Sequence, residues 1–166
     1  MTAAPATAHV TLRPMAADDC EMVFTWRNRP EIVRLSSSGR PVDWEDHLSW
    51  FRRRAADGTQ PMFVIEAAGW PAGQLRFDAE ADRAYRVTIY LVAESTGRGI
   101  GVAALRAGCG RLLAEGRADT FTACVQAGNL PSRKAFARAG FRDTEPPAPC
   151  PGGHVRMVLT AGGAHA

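Results

Sequence analysis

The sequence predicts an α/β protein: a mixed, mostly antiparallel sheet of about seven strands flanked by about four helices. Three observations lead there. Strand and helix signals alternate without an internal repeat, three strand-like runs follow one another between residues 62 and 93, and the order then switches to helix, strand, helix and a last pair of strands. At 166 residues and 46% hydrophobic content the chain fills one domain and is short for two. Residues 1–166 are therefore read as a single domain, with 1–8 and 161–166 as loose tails.

Taken in order, "HVTLR" (9–13) alternates as a first strand. "DDCEMVFTWRN" offers an aspartate cap followed by Met22, Val23 and Trp26 at helical spacing, and Pro30 is expected to end that helix. Asp43 reads as the N-cap of a second helix with Trp44, Leu48, Phe51 and Ala55 inward, which leaves His47, Trp50 and Arg54 on an adjoining exposed edge. "MFVIEAA" (62–68), "PAGQLRFDA" (71–79) and "AYRVTIYLVA" (84–93) form an antiparallel meander with a turn near Gly69. A helix over about 99–115, a strand over about 119–125, a helix over about 130–139 and two closing strands, separated by the irregular "PPAPCPGG", complete the chain.

Charge and cysteine usage narrow the function. A net charge of +3, from 20 basic and 17 acidic side chains, argues against a nucleic-acid partner. Cys20, Cys109, Cys124 and Cys150 lack the paired spacing of a zinc or redox site and are read as reduced thiols, with no metal expected. There is no leader-like start and no apolar run near the ~20 residues that cross a bilayer. A soluble cytoplasmic protein with no membrane partner is the expectation.

The stretch "IYLVAESTGRGIGVAALRAG" (89–108) carries the chemistry. A strand running through Gly97, Gly99 and Gly101 into a helix start presents unpaired amides and a dipole that favour an anion such as a phosphate. The plainer alternative is a strand-to-helix turn in which the glycines relieve strain. A Walker loop fails for want of Gly-Lys-Ser/Thr. A dinucleotide loop is met by "GIGVAA" and by Asp119 at ribose distance, but nearly 100 residues precede the glycines, which argues against that fold.

"LVAESTGRGIGVAAL", followed after a strand by "NLPSRKAFARAGF", resembles the two signature segments of the GCN5-related N-acetyltransferases, over essentially residues 10–160. The resemblance implies acetyl-coenzyme A as cosubstrate. It implies that the amides of Gly97, Arg98, Gly99, Ile100, Gly101, Val102 and Ala103 hold the pyrophosphate, that the strand edge at Leu91 and Val92 pairs with the pantetheine amides, and that Asn129 and Ser132 contact the pantetheine arm. Two positions depart from the pattern: Thr96 stands where the family has Arg or Gln, and Phe136 where many members have the tyrosine that protonates the departing thiolate. Phenylalanine cannot donate a proton.

Amine attack on a thioester needs positioning, a base and oxyanion stabilisation, for which an amide near Val92 is a candidate. The catalytic candidates are His47, Glu94, Tyr90 and Ser132, and the choice stays open. Arg27, Asn28, His47, Trp50, Arg76 and Asp78 are the candidate acceptor contacts. "WRNRPEIVRLSSSGRPVDWEDHLSWF" with "GQLRFD" is similar to the subgroup acetylating nucleotide-linked amino sugars in pseudaminic acid biosynthesis, and also to ribosomal-protein N-terminal acetyltransferases. A small-molecule amine, such as a nucleotide amino sugar whose pyrophosphate meets Arg27, Arg29 and Arg76, is the expected partner. A protein N-terminus and a non-catalytic acyl-coenzyme A binding module are the alternatives. The family likeness adds a homodimer to the expectations.

Overall fold

A computed structural model of the protein describes residues 9–144 and 150–163. Seven strands form one sheet in the order β1-β2-β3-β4-β5-β7-β6. β1 (Val10–Pro14), β2 (Met62–Ala67), β3 (Trp70–Ala81) and β4 (Ala84–Leu91) pair antiparallel in succession, and β5 (Thr120–Gln126) joins β4 in parallel. β7 (His154–Thr160) runs antiparallel between β5 and the short β6 (Arg142–Asp143). The helices among the described residues are α1 (Cys20–Arg27), α2 (Pro30–Leu35), α3 (Trp44–Ala56), α4 (Ile100–Ala114) and α5 (Leu130–Arg138). The expected class and the mixed, mostly antiparallel sheet are what is observed.

The period-2 pattern of β3 sorts the two faces of the sheet. Leu75 and Phe77 point into the larger core, with Phe63, Ile65, Val87, Leu105 and Leu112 of α4, and Phe136 of α5. Gly108 lets α4 lie close: a Cβ there would stand 2.5 Å from Leu75 Cδ2 and 3.0 Å from Phe77 Cζ. On the opposite face, Gln74, Arg76 and Asp78 turn toward the layer of α1, α2 and α3, whose core is Cys20, Val23, Trp26, Ile32, Phe51, Val64 and Val92. Functional side chains collect on this second face.

Several expectations are corrected. Pro30 ends α1 but occupies the first turn of α2, where its missing N–H costs nothing, so the proline opens a helix as well as closing one. Asp19 does not cap α1 with its side chain; it accepts from Ala16 N–H at 2.7 Å and from both Arg13 Nη atoms at 2.8 and 3.0 Å, which hold its carboxyl below the usual carboxylate range. In α3 the buried residues are His47, Phe51 and Arg54, while Ala55 is exposed: the helix is rotated from the expected stripe because the sheet face it covers is polar. Residues 161–163 form a 3-10 turn, not a loose tail, with Ala161 N–H bonded to Asp119 O at 2.8 Å. The tail 1–8 and most of "PPAPC" lie outside the described residues.

The reading of all four cysteines as reduced thiols is also overturned. Cys124 of β5 and Cys150 form a disulfide across a 26-residue separation, and only Cys20 and Cys109 are free and buried. Sequence spacing could not reveal it, because β7 and its preceding loop bring position 150 against β5. No helix among the described residues is long and apolar enough to cross a membrane.

Candidate active site

The β4–β5 pairing extends only from Ala84↔Thr120 to Arg86↔Thr122. Beyond it the strands part, and the β4 edge from Val87 to Leu91 faces no neighbour. Val92 N–H donates to Ala72 O at 2.9 Å, so the alternation of the antiparallel ladder turns the amides of Ile89 and Leu91 away from β3 and into the gap. Leu91 therefore offers the free edge expected of it. Val92 does not: its amide is already used, and the free amide next to it is that of Leu91.

Past Val92 the chain makes a 3-10 turn (Ala93–Ser95) and enters α4. Gly97 and Gly99 have φ of 72° and 76°, a conformation side-chain-bearing residues rarely adopt. Gly101 is in ordinary helix, where a Cβ would meet only Leu91 Cδ1 at 3.7 Å. The first amide used by the helix is that of Ala103, bonded to Gly99 O at 3.1 Å, so Ala103 leaves the expected donor set. The amides of Gly97, Arg98, Gly99, Ile100, Gly101 and Val102 have no hydrogen-bond partner among the described residues. Such a run at the positive end of a 15-residue helix matches a diphosphate. Thr96 spends its hydroxyl on Ala93 O at 2.8 Å.

At the far side of the gap, Asn129 caps α5 by accepting from Ser132 N–H at 3.3 Å. Phe136, expected at the cofactor, is instead in the core, edge-on to Phe141 at 5.0 Å. Glu94 is exposed and pairs with Arg29 at 2.9 Å, which takes Arg29 out of the expected pyrophosphate contacts. Its own main-chain amide and Arg29 hold the Glu94 carboxyl below the usual range. It is a weaker base for that.

Beside the end of β4, between α1, α3 and β3, lies a cavity of about 290 Å³ whose wall includes Arg27, Asp46, His47, Trp50, Gln74 and Arg76. His47 is buried, correcting the exposed edge expected for it. Its Nε2 lies 2.9 Å from Cys20 O, and since a carbonyl only accepts, Nε2 carries the proton and Nδ1 the lone pair. Burial pulls its pKa below the ordinary histidine value, Arg27 adds to this, and the Cys20 carbonyl opposes it. The ring is neutral at neutral pH.

The other candidates are placed as follows. The Arg76 guanidinium covers the Trp50 ring at 5.3 Å and bonds Asp78 at 3.2 Å. Asp78 is shared with the buried Arg54 at 2.8 Å, so it braces the wall rather than facing an acceptor. Asn28 is likewise occupied: its side chain donates to Val42 O at 2.9 Å and accepts from Val42 N–H at 2.8 Å, pinning the α2–α3 connection to α1. Tyr90 lies near Arg27 and Arg76; burial raises its pKa, and its hydroxyl is shielded from solvent without a partner. Gln74 and Asp46 were missed, although Gln74 sits two residues before Arg76 on the same strand face and Asp46 directly precedes His47.

A family model described as an acetyltransferase (GNAT) domain matches residues 9–142. The chain belongs to the GNAT acetyltransferases. It is an acetyl-CoA-dependent N-acetyltransferase, and the gap with its amide run fits that cosubstrate. Among solved structures, aminoglycoside acetyltransferase AAC(6')-Ib in complex with coenzyme A is 22% identical, with a TM-score of 0.80 and coverage of 93% of this chain and 96% of that one. Mycobacterium smegmatis RimJ in complex with CoA-disulfide is 26% identical, with a TM-score of 0.74 over 92% of this chain and 82% of that one. Vibrio cholerae spermidine N-acetyltransferase in complex with CoA and spermine shares 14% identity, at a TM-score of 0.80 over 93% and 97%. No curated protein matches the sequence. The dinucleotide alternative falls away with the family, and Asp119 is paired with Arg83 at 3.0 Å.

Proposed function

We propose that this GNAT enzyme acetylates the primary amine of a small amino-sugar derivative bound in the cavity between α1, α3 and β3. The observation that carries this is the cavity itself: it opens beside the free end of β4 and presents Arg27, His47, Trp50 and Arg76 together. Acetyl-coenzyme A, when bound, supplies an acetyl group activated as a thioester, with coenzyme A as the leaving group. The amides from Gly97 to Val102 hold its diphosphate, the Leu91 edge aligns its pantetheine, and Asn129 and Ser132 flank the arm. The free Leu91 amide would donate to the carbonyl oxygen as negative charge develops on it. His47 is the base best supplied for the amine proton, directly or through one water, because it lines the cavity and keeps a lone pair at neutral pH. A cytoplasmic homodimer completes the proposal.

Thiol release from acetyl-CoA is the test, with nucleotide amino sugars, aminoglycosides, polyamines and N-terminal peptides offered in turn. Turnover confined to amino-sugar derivatives is expected. Turnover confined to peptides would replace the acceptor by a protein N-terminus, and tight coenzyme A binding with no turnover would leave a non-catalytic acyl-coenzyme A module.

A further inference from the structure

The charge of the cavity wall decides more about the acceptor than its shape does. Arg27 is a cation with no ion-pair partner among the described residues: Nη2 reaches Ser38 Oγ at 3.3 Å, and Nη1 is buried with no partner at all. Burial works against its charge, which makes an isolated guanidinium costly unless an anion completes the site. The Tyr90 hydroxyl, beside both Arg27 and Arg76, is a second buried polar atom without a partner. Gln74, also buried, makes one side-chain hydrogen bond among the described residues, from Nε2 to Met15 Sδ at 4.0 Å, a weak acceptor.

The remaining charges do not neutralise the group. Asp78 is the shared partner of Arg54 and Arg76, and His47 is uncharged. Asp46, exposed in the first turn of α3, is the other carboxylate on the wall and makes no ion pair among the described residues. Three guanidinium groups thus face two carboxylates. The two unpaired donors here, a guanidinium nitrogen of Arg27 and the Tyr90 phenol, suit the lone pairs of one oxyanion. At about 290 Å³ the cavity is at the small end of ligand sites, too small for a diphosphate and a nucleoside besides the amine.

We infer that Arg27, Arg76 and the Tyr90 hydroxyl form a subsite for a compact oxyanion, a monophosphate or carboxylate, carried by the amine acceptor itself. This rests on the cavity being the acceptor site. Polycationic amines are poor acceptors as a consequence, and Arg27 sets the preference.

Two measurements separate this inference from the proposed function. Glucosamine, glucosamine 6-phosphate, glucosaminic acid and spermidine are compared for thiol release by the wild-type protein and by Arg27→Gln. Higher kcat/KM for the phosphate or the carboxylate compound is expected, the better of the two naming the oxyanion, with the advantage falling about 10- to 100-fold in Arg27→Gln. Equal turnover of the neutral amine, or an advantage that survives the substitution, overturns the inference while leaving the acetyltransferase reading intact. Inorganic phosphate is then titrated by thermal shift at constant ionic strength, with coenzyme A saturating so that the α4 amides are occupied. A shift lost in Arg27→Gln and weakened in Tyr90→Phe supports the subsite even if no amine turns over. An identical shift in all three proteins refutes it, and Tyr90→Phe, which removes one oxygen, serves if Arg27→Gln fails to fold.

Discussion

The two halves of the proposed active site are built from different material. On the cofactor side, residues 91–102, the donors are main-chain amides, presented by two left-handed glycines and the start of one helix. On the acceptor side the groups are side chains from α1, α3, β3 and β4, separated by up to 63 positions between Arg27 and Tyr90. A main-chain site depends on local conformation, so the chain needs only the right glycines. A side-chain site depends on how layers pack, and every member is also a packing residue.

The contrast predicts which substitutions affect binding and which affect folding. Gly99→Glu puts a side chain into a backbone with φ of 76° and a carboxylate among the amides; coenzyme A affinity measured by calorimetry should fall about a thousandfold, some 4 kcal/mol, with folding stability lower by only ~1 kcal/mol. Gly101→Ala is the control, and should bind normally because its Cβ makes an ordinary contact. Equal effects at the two glycines would mean the loop acts through packing after all.

Where side chains from distant segments meet, stability is the expected casualty. Cys150→Ser should cost about 3 kcal/mol in urea melts by the chain-entropy argument for a closure of 26 residues, and reductant should cost the wild type the same. Asp78→Asn removes the carboxylate shared by Arg54 and Arg76, and should destabilise by about 2 kcal/mol, less than a fully buried pair because Asp78 is partly exposed.

The smallest effect is a pH dependence. His47 titrates below 6.5 in the fold, so between that value and its folded pKa the unfolded chain binds more protons. Its contribution is complete above pH 6.5 and is lost as pH falls. The melting temperature should therefore decline between pH 7 and pH 5 in the wild type and decline less in His47→Gln. The same variant tests the base: an unchanged pH–rate profile removes His47 from the chemistry.

The cofactor side was nearly legible because its signal is contiguous. Gly97, Gly99 and the strand before them announce an amide cradle, and the later segment from Asn129 supports it. Three expected positions there are corrected: Val92 and Ala103 use their amides internally, which depends on strand phase and helix start, and Phe136 turns into the core. The acceptor side was legible as a set of residues but not as an arrangement. Arg27, His47, Trp50 and Arg76 were picked out, yet His47 was put on an exposed edge, because a stripe of Trp44, Leu48, Phe51 and Ala55 assumes an apolar surface beneath α3. The actual surface carries Gln74, Arg76 and Asp78, and the helix rotates to bring polar groups to meet them.

By itself the sequence determined the alternation of elements, the glycine turn and hence the family, since these follow from local periodicity and backbone freedom. Only the tertiary structure decided that Cys124 meets Cys150, that Asn28 and Asp78 are braces, and that one guanidinium nitrogen of Arg27 and the Tyr90 hydroxyl are left without partners among the described residues. Pairing and desolvation are properties of neighbours distant in the chain, and no local pattern specifies them.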